Sequence, residues 1–379
     1  MNVTHYDCRR ISCSSETVRS RVRSSLELVF CGDALSMPVH WFYRPSDILR
    51  YFPPMGITAM EAAPAEHPSA IMTLHSTQRG GRQSVAKGNS EIVGDVILKG
   101  REHLWKQGGA HYHHGMPAGE NTLNTWVARL MLEWMTDRCA YDVDGWLQQY
   151  VDFMIADPPR HPDTYAESCH REFFANREAG KPLRECGGVT HDTPSMGALV
   201  TLPPLALALL ATQPLADVQA ACREHVQTTH PDKGLLSVVD SYVALLANLL
   251  FRPEEETADD YIEAAAVTQL SGSISSILKK KNDPREIVGG VFSLACYISD
   301  SWPSVCYLAH RYASDPGKAL LLNSNLGGEN AHRGSVLGSL IGLVTPDQHE
   351  SLFAQLHRKN EISEAIGQWV DFHYPADNR

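Results

Sequence analysis

The sequence predicts an all-α fold. Apolar residues recur at helical spacing nearly throughout the 379 residues, whereas the alternation typical of half-buried strands is almost absent. Hydrophobic residues make up 43% of the chain and charged residues 20%, which are the proportions of a globular protein with a sizeable core. No internal repeat or obvious linker divides the sequence.

The predicted helices follow one another along the chain. The first ends near Asp33, because Pro38 cannot continue it. Further helices are predicted over 123–134, 235–251, 286–299, 304–313 and 336–344. Residues 53–110 and 157–190 are predicted to be long irregular segments of a functional kind, although 163–180 also has an amphipathic helical pattern.

The last of these helices carries glycines at four-residue intervals, at positions 334, 338 and 342. Residues four apart lie on one face of a helix. Each glycine costs about 1 kcal/mol relative to alanine inside a helix, so the stripe needs a packing reason. We expect a neighbouring helix to approach this face closely, in the core of the protein.

Composition also indicates which kinds of partner and which compartment to expect. The formal net charge of −11 gives no reason to expect nucleic-acid binding. No run of eighteen apolar residues is present, so we expect no membrane span. Nine cysteines without a C-x-x-C pair favour free thiols in a reducing compartment, and we expect a cytoplasmic protein.

A candidate site lies at "NSNLGGENAHRG", residues 323–334. Gly327 and Gly328 allow a sharp turn and a close approach of another group. Glu329 follows at the start of a helix, where the helix dipole favours a carboxylate. The segment is therefore either a turn with a helix N-terminus or a cradle for a ligand or metal.

A second cluster, at 108–126, has a similar order of residues. Its histidines, including His113, precede Gly119, and "ENT" at 120–122 then opens a long helix. Their spacing is not that of a zinc site, so helix capping is the competing interpretation. A third cluster, "CGDALSMPVHWFYRP" at 31–45, contains His40 beside Trp41, a pair that packing alone would also explain.

A fourth cluster, at 187–200, places His191 and Asp192 before Thr193, Pro194 and another apolar helix. Asp192 is a reasonable helix cap at this position. Because several buried helices begin with Glu-Asn or His-Asp, we expect the helix starts near 120, 193 and 330 to converge on one pocket.

Five motifs, in order over residues 24–345, resemble those of the ADP-ribosylglycohydrolase family. They are "GDALSMPVHW", "GENT", "SMGALVTLPPLAL", "TTHPDKGLLSVVDSYVALL" and "NLGGENAHRGSVLGSLIGL". The resemblance implies a compact orthogonal multi-helix bundle, with residues 1–23 as an extension and 24–379 as a single domain.

The resemblance also implies a metal site with altered ligands. Aspartates of the family hold two magnesium or manganese ions, and Glu120, Asn121 and Glu329 stand at the corresponding positions here. The later Asp-Thr pair of the second motif is replaced by Ala331 and His332. Since hard divalent ions need several oxygen ligands, we expect one weakly held magnesium ion or none.

The implied activity is hydrolysis of an N- or O-glycosidic bond at ribose C1, releasing ADP-ribose from a modified side chain or a related nucleotide-like compound. Glu120 is the expected base and Asp192 the second carboxylate. The residues expected to bind substrate are His40, His113, Asn121, Thr122, His191, Gly327, Gly328, Asn330, His332 and Arg333, the last two at the phosphates. The alternative is a non-catalytic binder of ADP-ribose or a nucleotide, with a degenerate metal site.

Overall fold

The computed structural model describes residues 13–76, 100–190 and 192–376. These ranges contain seventeen α-helices and no strand beyond isolated bridges, which confirms the predicted all-α class. The helices are α1 (Ser15–Ser36), α2 (Pro45–Tyr51), α3 (Glu102–Lys106), α4 (Leu123–Met135), α5 (Val143–Ile155), α6 (Ser168–Glu178), α7 (Leu202–Leu210), α8 (Leu215–Thr229), α9 (Lys233–Leu250), α10 (Asp259–Ala266), α11 (Ile274–Leu278), α12 (Pro284–Ile287), α13 (Ile298–Tyr312), α14 (Pro316–Leu326), α15 (Asn330–Val344), α16 (Glu350–Phe353) and α17 (Lys359–His373). Short 3-10 helices cover Met37–Val39, Met72–Leu74, Leu183–Glu185 and Met196–Leu199.

Helix α15 lies at the centre of the bundle. Every residue from Asn330 to Leu343 is buried, and α15 packs against α1, α9, α13 and α14. A helix that is buried on all sides needs small residues wherever a neighbour comes close. The helix that carries Glu329 at its N-terminus is thus a core helix, as its sequence indicated.

The glycine stripe of α15 is the surface on which α1 packs. A Cβ atom on Gly338 would lie 2.1 Å from the carbonyl oxygen of Leu28, and one on Gly342 would lie 2.6 Å from that of Ser24. A Cβ on Gly334 would lie 2.4 Å from the carbonyl oxygen of Gly32. These separations leave no room for a methyl group, so the predicted close approach is confirmed.

Two predicted elements near the site are wrong. The segment predicted as a helix over 286–299 is helical only at its two ends, up to Ile287 and again from Ile298, because Gly289 has a φ of 107°. The chain then runs beside the segment that follows Asp192: the Met196 N–H donates to Cys296 O at 3.0 Å, and the Ile298 N–H donates to Pro194 O at 2.7 Å. This pairing replaces helical hydrogen bonds in both segments, so the helix expected to start near 193 is replaced by a 3-10 turn, with α7 beginning later.

Two further expectations concern the ends of the chain and membranes. Helix α1 begins at Ser15, inside the segment predicted as an extension, and the division at residues 23 and 24 remains a prediction. Within the described ranges, α9 is long and apolar enough to cross a membrane by length and composition, with a mean hydropathy of 1.4. Its Leu246 and Leu249 are fully buried in the core, and a core helix meets the same criterion.

Candidate active site

A cavity of ≈ 370 Å³ opens beside the N-terminus of α15. Much of its wall is aromatic, and the rings are those of Trp41, Tyr43, Tyr112, Tyr165 and Tyr297. The rings of Trp41, Tyr112 and Tyr165 contact one another edge to face, with centroids 4.7 to 5.2 Å apart. Such walls suit a flat or apolar group of a ligand.

Three carboxylates also line this cavity: Glu167, Asp192 and Glu329. Glu167 immediately precedes α6, and Glu329 immediately precedes α15. Asp192 lies in the loop that precedes the Met196–Leu199 turn, where its Oδ2 accepts a hydrogen bond of 2.8 Å from Ser168. Three separate parts of the chain therefore bring acidic groups to one cavity.

A short loop holds Trp41 against Glu329. The indole N–H donates to Glu329 Oε2 at 2.6 Å, and Trp41 has a φ of 62°, which is rare for a large side chain. Two backbone hydrogen bonds of 2.8 Å fix the loop, from Trp41 N to Gly328 O and from Gly328 N to Phe42 O. The unusual conformation at a cavity wall is typical of functional sites.

Gly327 and Gly328 allow the backbone at Phe42 and at Leu294 to pack closely against the turn before α15. A Cβ on Gly327 would lie 2.1 Å from Phe42 O, and one on Gly328 would lie 2.3 Å from Leu294 O. Both glycines have positive φ values, of 75° and 67°. Neither glycine lines the cavity, and close backbone packing accounts for both positions.

His332 lies between two of the carboxylates. Its Nδ1 atom contacts Glu329 Oε1 and lies 3.5 Å from Glu167 Oε1. Burial alone would lower the pKa of His332, but Glu167 and Glu329 outweigh burial and raise the pKa to about 10. The two carboxylates therefore favour the positively charged form of the imidazole.

The pKa values of Glu167 and Glu329 are shifted in opposite directions. Burial would raise the pKa of Glu329, but the charge of His332 holds it well below its usual range. Burial, together with Glu329 and Asp192, raises the pKa of Glu167 to about 7. Carboxyl groups whose pKa values are pushed apart in this way are typical of acid and base pairs.

His40 belongs to a chain of buried side chains. Its Nδ1 lies 2.8 Å from His113 Nε2, and His113 Nδ1 lies 2.8 Å from Asp163 Oδ1. The other nitrogen, His40 Nε2, lies 3.4 Å from Glu329 Oε1. The other carboxylate oxygen of Asp163 accepts the Leu123 N–H at 2.8 Å, which also caps α4.

His40, Glu329 and His332 together could hold a metal ion. One donor atom from each residue lies within 4.8 Å of the donors from the other two, and all three side chains are buried. The set contains two imidazoles and one carboxylate. The Glu120 and Asn121 pair expected from the sequence is not part of it.

Glu120 turns away from the cavity. Its carboxylate accepts hydrogen bonds from Trp126 Nε1 at 3.2 Å and Arg358 Nε at 3.3 Å, and it lies beside α17. The predicted base therefore does not reach the three cavity carboxylates. The sequence could not reveal this, because Arg358 is 238 positions away.

Asn121 and Thr122 are engaged by Asp33. Asn121 Nδ2 donates to Asp33 Oδ2 at 2.9 Å, and the Thr122 N–H and hydroxyl donate to the same carboxylate at 2.7 and 2.6 Å. Burial raises the pKa of Asp33 against these hydrogen bonds. The side chains therefore fix the start of α4 beside the site rather than project into the main cavity.

Asn330 and Arg333 are also structural. Asn330 Nδ2 donates to the carbonyl oxygens of Val39 and Ser324, at 3.2 and 2.9 Å. Arg333 donates to the Asn323 side chain at 2.7 Å and to Gly327 O at 2.9 Å, and it is 1% exposed. The guanidinium of Arg333 ties together the turn before α15, and a contact between Arg333 and substrate phosphates remains a prediction.

Three further residues near the site, His191, Asp192 and Glu167, differ in how the structure bears on them. His191 lies outside the described residues. Asp192 does line the cavity, but it accepts from Ser168 and Thr190 rather than capping a helix. Sequence reasoning missed Glu167, because its amphipathic segment gave no sign of which face is buried.

The pair of magnesium ions implied by the family motifs does not fit these residues. Ala331 offers no side-chain ligand, and Glu120 is paired with Arg358. Asp33 and Asn121 are joined to each other. The group that could hold a metal, His40, Glu329 and His332, offers two nitrogen ligands and one carboxylate, a set that magnesium disfavours.

Comparison with known proteins agrees with the fold. A solved structure described as an ADP-ribosylglycohydrolase-related protein complex is similar to this chain at 17% identity and a TM-score of 0.55, over 94% of this chain and 99% of that one. No curated protein sequence matches. The family model described as ADP-ribosylglycohydrolase matches residues 14–366 and supports a hydrolase of glycosidic bonds. On this evidence, the chain belongs to the ADP-ribosylglycohydrolase family.

Proposed function

We propose that this protein hydrolyses an N- or O-glycosidic bond at the C1 atom of a ribose. The product would be ADP-ribose released from a modified side chain, or the equivalent sugar released from a related nucleotide-like compound. The observation that carries this proposal is the juxtaposition of Glu167, Asp192 and Glu329 in one aromatic-walled cavity. Glycosidic cleavage of this kind uses paired carboxyl groups on either side of the reacting carbon.

The residues of the cavity supply the roles that the reaction needs. One carboxyl group gives a proton to the departing nitrogen or oxygen, and a second takes a proton from the water that attacks C1. Glu167 and Asp192 form this pair in the proposal, so Glu167 takes the place first assigned to Glu120. Glu329 stays charged beside His332 and stabilises positive charge as it develops at C1.

The aromatic side chains have a separate role. Trp41, Tyr112 and Tyr165 would stack against the nucleobase or the departing group of the substrate and exclude water from it. The proposed partners are therefore an ADP-ribosylated protein or a small nucleotide-like substrate. The expected cytoplasmic location and the absence of nucleic-acid and membrane partners remain predictions.

The test compares carboxamide variants at three carboxylates. Glu167→Gln and Asp192→Asn should each lower the rate of ADP-ribose release by about 10²–10⁴, because each removes an acid or base. Glu120→Gln should keep most of the activity, since Glu120 pairs with Arg358 outside the cavity. Glu133→Gln, an exposed glutamate on α4, is the matched control.

The assay would measure ADP-ribose released from ADP-ribosyl-arginine and ADP-ribosyl-serine peptides by chromatography, with and without magnesium. Loss of activity in Glu120→Gln but not in Glu167→Gln would contradict the assignment and restore the base predicted from the sequence. Tight binding of ADP-ribose without release from either peptide would instead support the non-catalytic alternative.

A further inference from the structure

We propose that His40, Glu329 and His332 bind a single transition-metal ion of the zinc class, in place of the magnesium pair that the family motifs imply. The proposal concerns the metal alone and stands whether or not the proposed hydrolysis is correct. It rests on the positions of the three ligand atoms, on the direct contact between His332 and Glu329, and on the residues behind His40.

The three ligand atoms already lie close enough together to share one ion after a local rearrangement. The three donor atoms lie within 4.8 Å of one another, and His40 Nε2 is 3.4 Å from Glu329 Oε1. Bonds of about 2.0–2.2 Å from zinc to nitrogen and oxygen place two ligand atoms roughly 3–4 Å apart. His332 Nδ1 and Glu329 Oε1, which are in direct contact, would therefore have to move apart by about 1 Å to seat one ion between them.

The second observation is the Nδ1 atom of His332. His332 is 2% exposed, and this nitrogen has no hydrogen-bond partner of acceptable geometry although it touches Glu329 Oε1. A proton on this nitrogen joins the two side chains as an ion pair. A metal ion bound between the same two atoms would take the place of that proton.

The third observation is the support behind His40. Asp163 accepts from His113, and His113 in turn lies at hydrogen-bond distance from His40 Nδ1. If His113 accepts the Nδ1 proton of His40, the lone pair of His40 Nε2 faces Glu329. Metal-binding histidines commonly make such a contact through their other nitrogen, which fixes the tautomer and the ring orientation.

The surroundings leave room for an ion and an open coordination position. His40, His332, Thr122 and Glu167 border a void of ≈ 10 Å³, which is about the space that one water molecule needs. Glu329 lines the larger cavity rather than this void. Two imidazoles and one carboxylate with an open position form a set that zinc favours, whereas magnesium favours oxygen ligands in an octahedral array.

The experiment uses the full chain, freed of metal by a chelator and then titrated with Zn²⁺, Co²⁺ or Mg²⁺. We expect one Zn²⁺ per chain by calorimetry and elemental analysis, with an affinity at least a hundredfold above that for Mg²⁺. Co²⁺ should give the visible absorption bands of a four- or five-coordinate site. These readouts do not depend on catalysis, so they separate this proposal from the proposed function.

The variants test each ligand and its support. His40→Ala and His332→Ala should each lower Zn²⁺ affinity by more than a hundredfold and abolish the Co²⁺ bands. His113→Gln should weaken binding by about 10–100-fold while keeping the bands, because it disturbs only the support. His357→Ala, at a histidine whose side chain is 45% exposed, is the matched control and should bind like the parent.

Circular dichroism would establish that each variant is folded. Two tight Mg²⁺ sites in the parent protein, or the absence of Co²⁺ bands, would overturn the proposal. Equal Zn²⁺ affinity in His332→Ala, His357→Ala and the parent would overturn it as well, because the ion would then lie elsewhere.

Discussion

Substitution of Gly338 by alanine should destabilise the protein, although alanine is the better helix former. Gly338 lies in the middle of α15, where α1 passes over it. The added methyl carbon would lie 2.1 Å from Leu28 O and 2.6 Å from the Leu28 carbonyl carbon. Both are backbone atoms, which cannot rotate aside as a side chain could, so the two helices would have to separate.

The expected size follows from two opposed effects. Overpacking of a core costs about 1–3 kcal/mol, and a contact with backbone belongs at the upper end of that range. Alanine recovers about 1 kcal/mol of helix propensity. The free energy of unfolding should therefore fall by about 2 kcal/mol in Gly338→Ala.

The chain contains a matched control in Gly367 of α17. A Cβ atom there would meet no other atom within 4 Å. Gly367→Ala should therefore raise the free energy of unfolding by about 0.5–1 kcal/mol. Urea unfolding followed by far-UV circular dichroism would measure both variants, and equal stabilities would show that α1 and α15 are not in contact at Gly338.

Two more predictions concern stability and pH. Burial lowers the pKa of His225 to about 3, and its ring nitrogens lie 2.9 Å from the Tyr141 hydroxyl and 2.7 Å from the Thr201 hydroxyl. Near pH 6.5 only the unfolded chain takes up this proton, so the contribution of His225 to stability is fully present above that pH. On acidification below it, the free energy of unfolding should fall by about 1.4 kcal/mol per pH unit. In His225→Gln the urea midpoint should depend less on pH, and an unchanged dependence would contradict the assignment. Arg358→Gln should lower the free energy of unfolding by about 1–3 kcal/mol, because it leaves the buried Glu120 carboxylate without its arginine partner. Adding Glu120→Gln should restore part of that loss in a double-mutant cycle. Purely additive losses would exclude coupling between the two residues.

The sequence predicted those features that depend on local periodicity. The apolar spacing of α4, α9 and α15 was sufficient to place these helices, and the stripe of glycines on α15 correctly indicated a close neighbour. The helix predicted over 286–299 failed because the positive φ of Gly289 ends it. Backbone pairing between the segments around Ser195 and Tyr297 then competes with helix formation, and such long-range pairing leaves no periodic signal.

The site was harder to predict, because side-chain direction depends on distant partners. Glu120 has the sequence context of a catalytic carboxylate, but its carboxylate pairs with Arg358 and points away from the cavity. Glu167 lies in an ordinary amphipathic segment, and only the packing of α6 turns it towards His332. Motif position indicated which segments meet, whereas the chemistry of each side chain required the three-dimensional arrangement.

Charge balance explains why the altered motif can still support a site. Glu329 is fully buried, and a buried carboxylate is stable only beside a compensating positive charge and hydrogen-bond donors. The Trp41 N–H supplies a donor, and the imidazole of His332 supplies the charge when no metal is present. Replacing the threonine of the family motif with histidine therefore offers one residue two ways to neutralise Glu329, by carrying a proton or by joining His40 around a metal ion. Either state compensates the charge of the buried Glu329 carboxylate, so the altered motif keeps this carboxylate in the cavity wall.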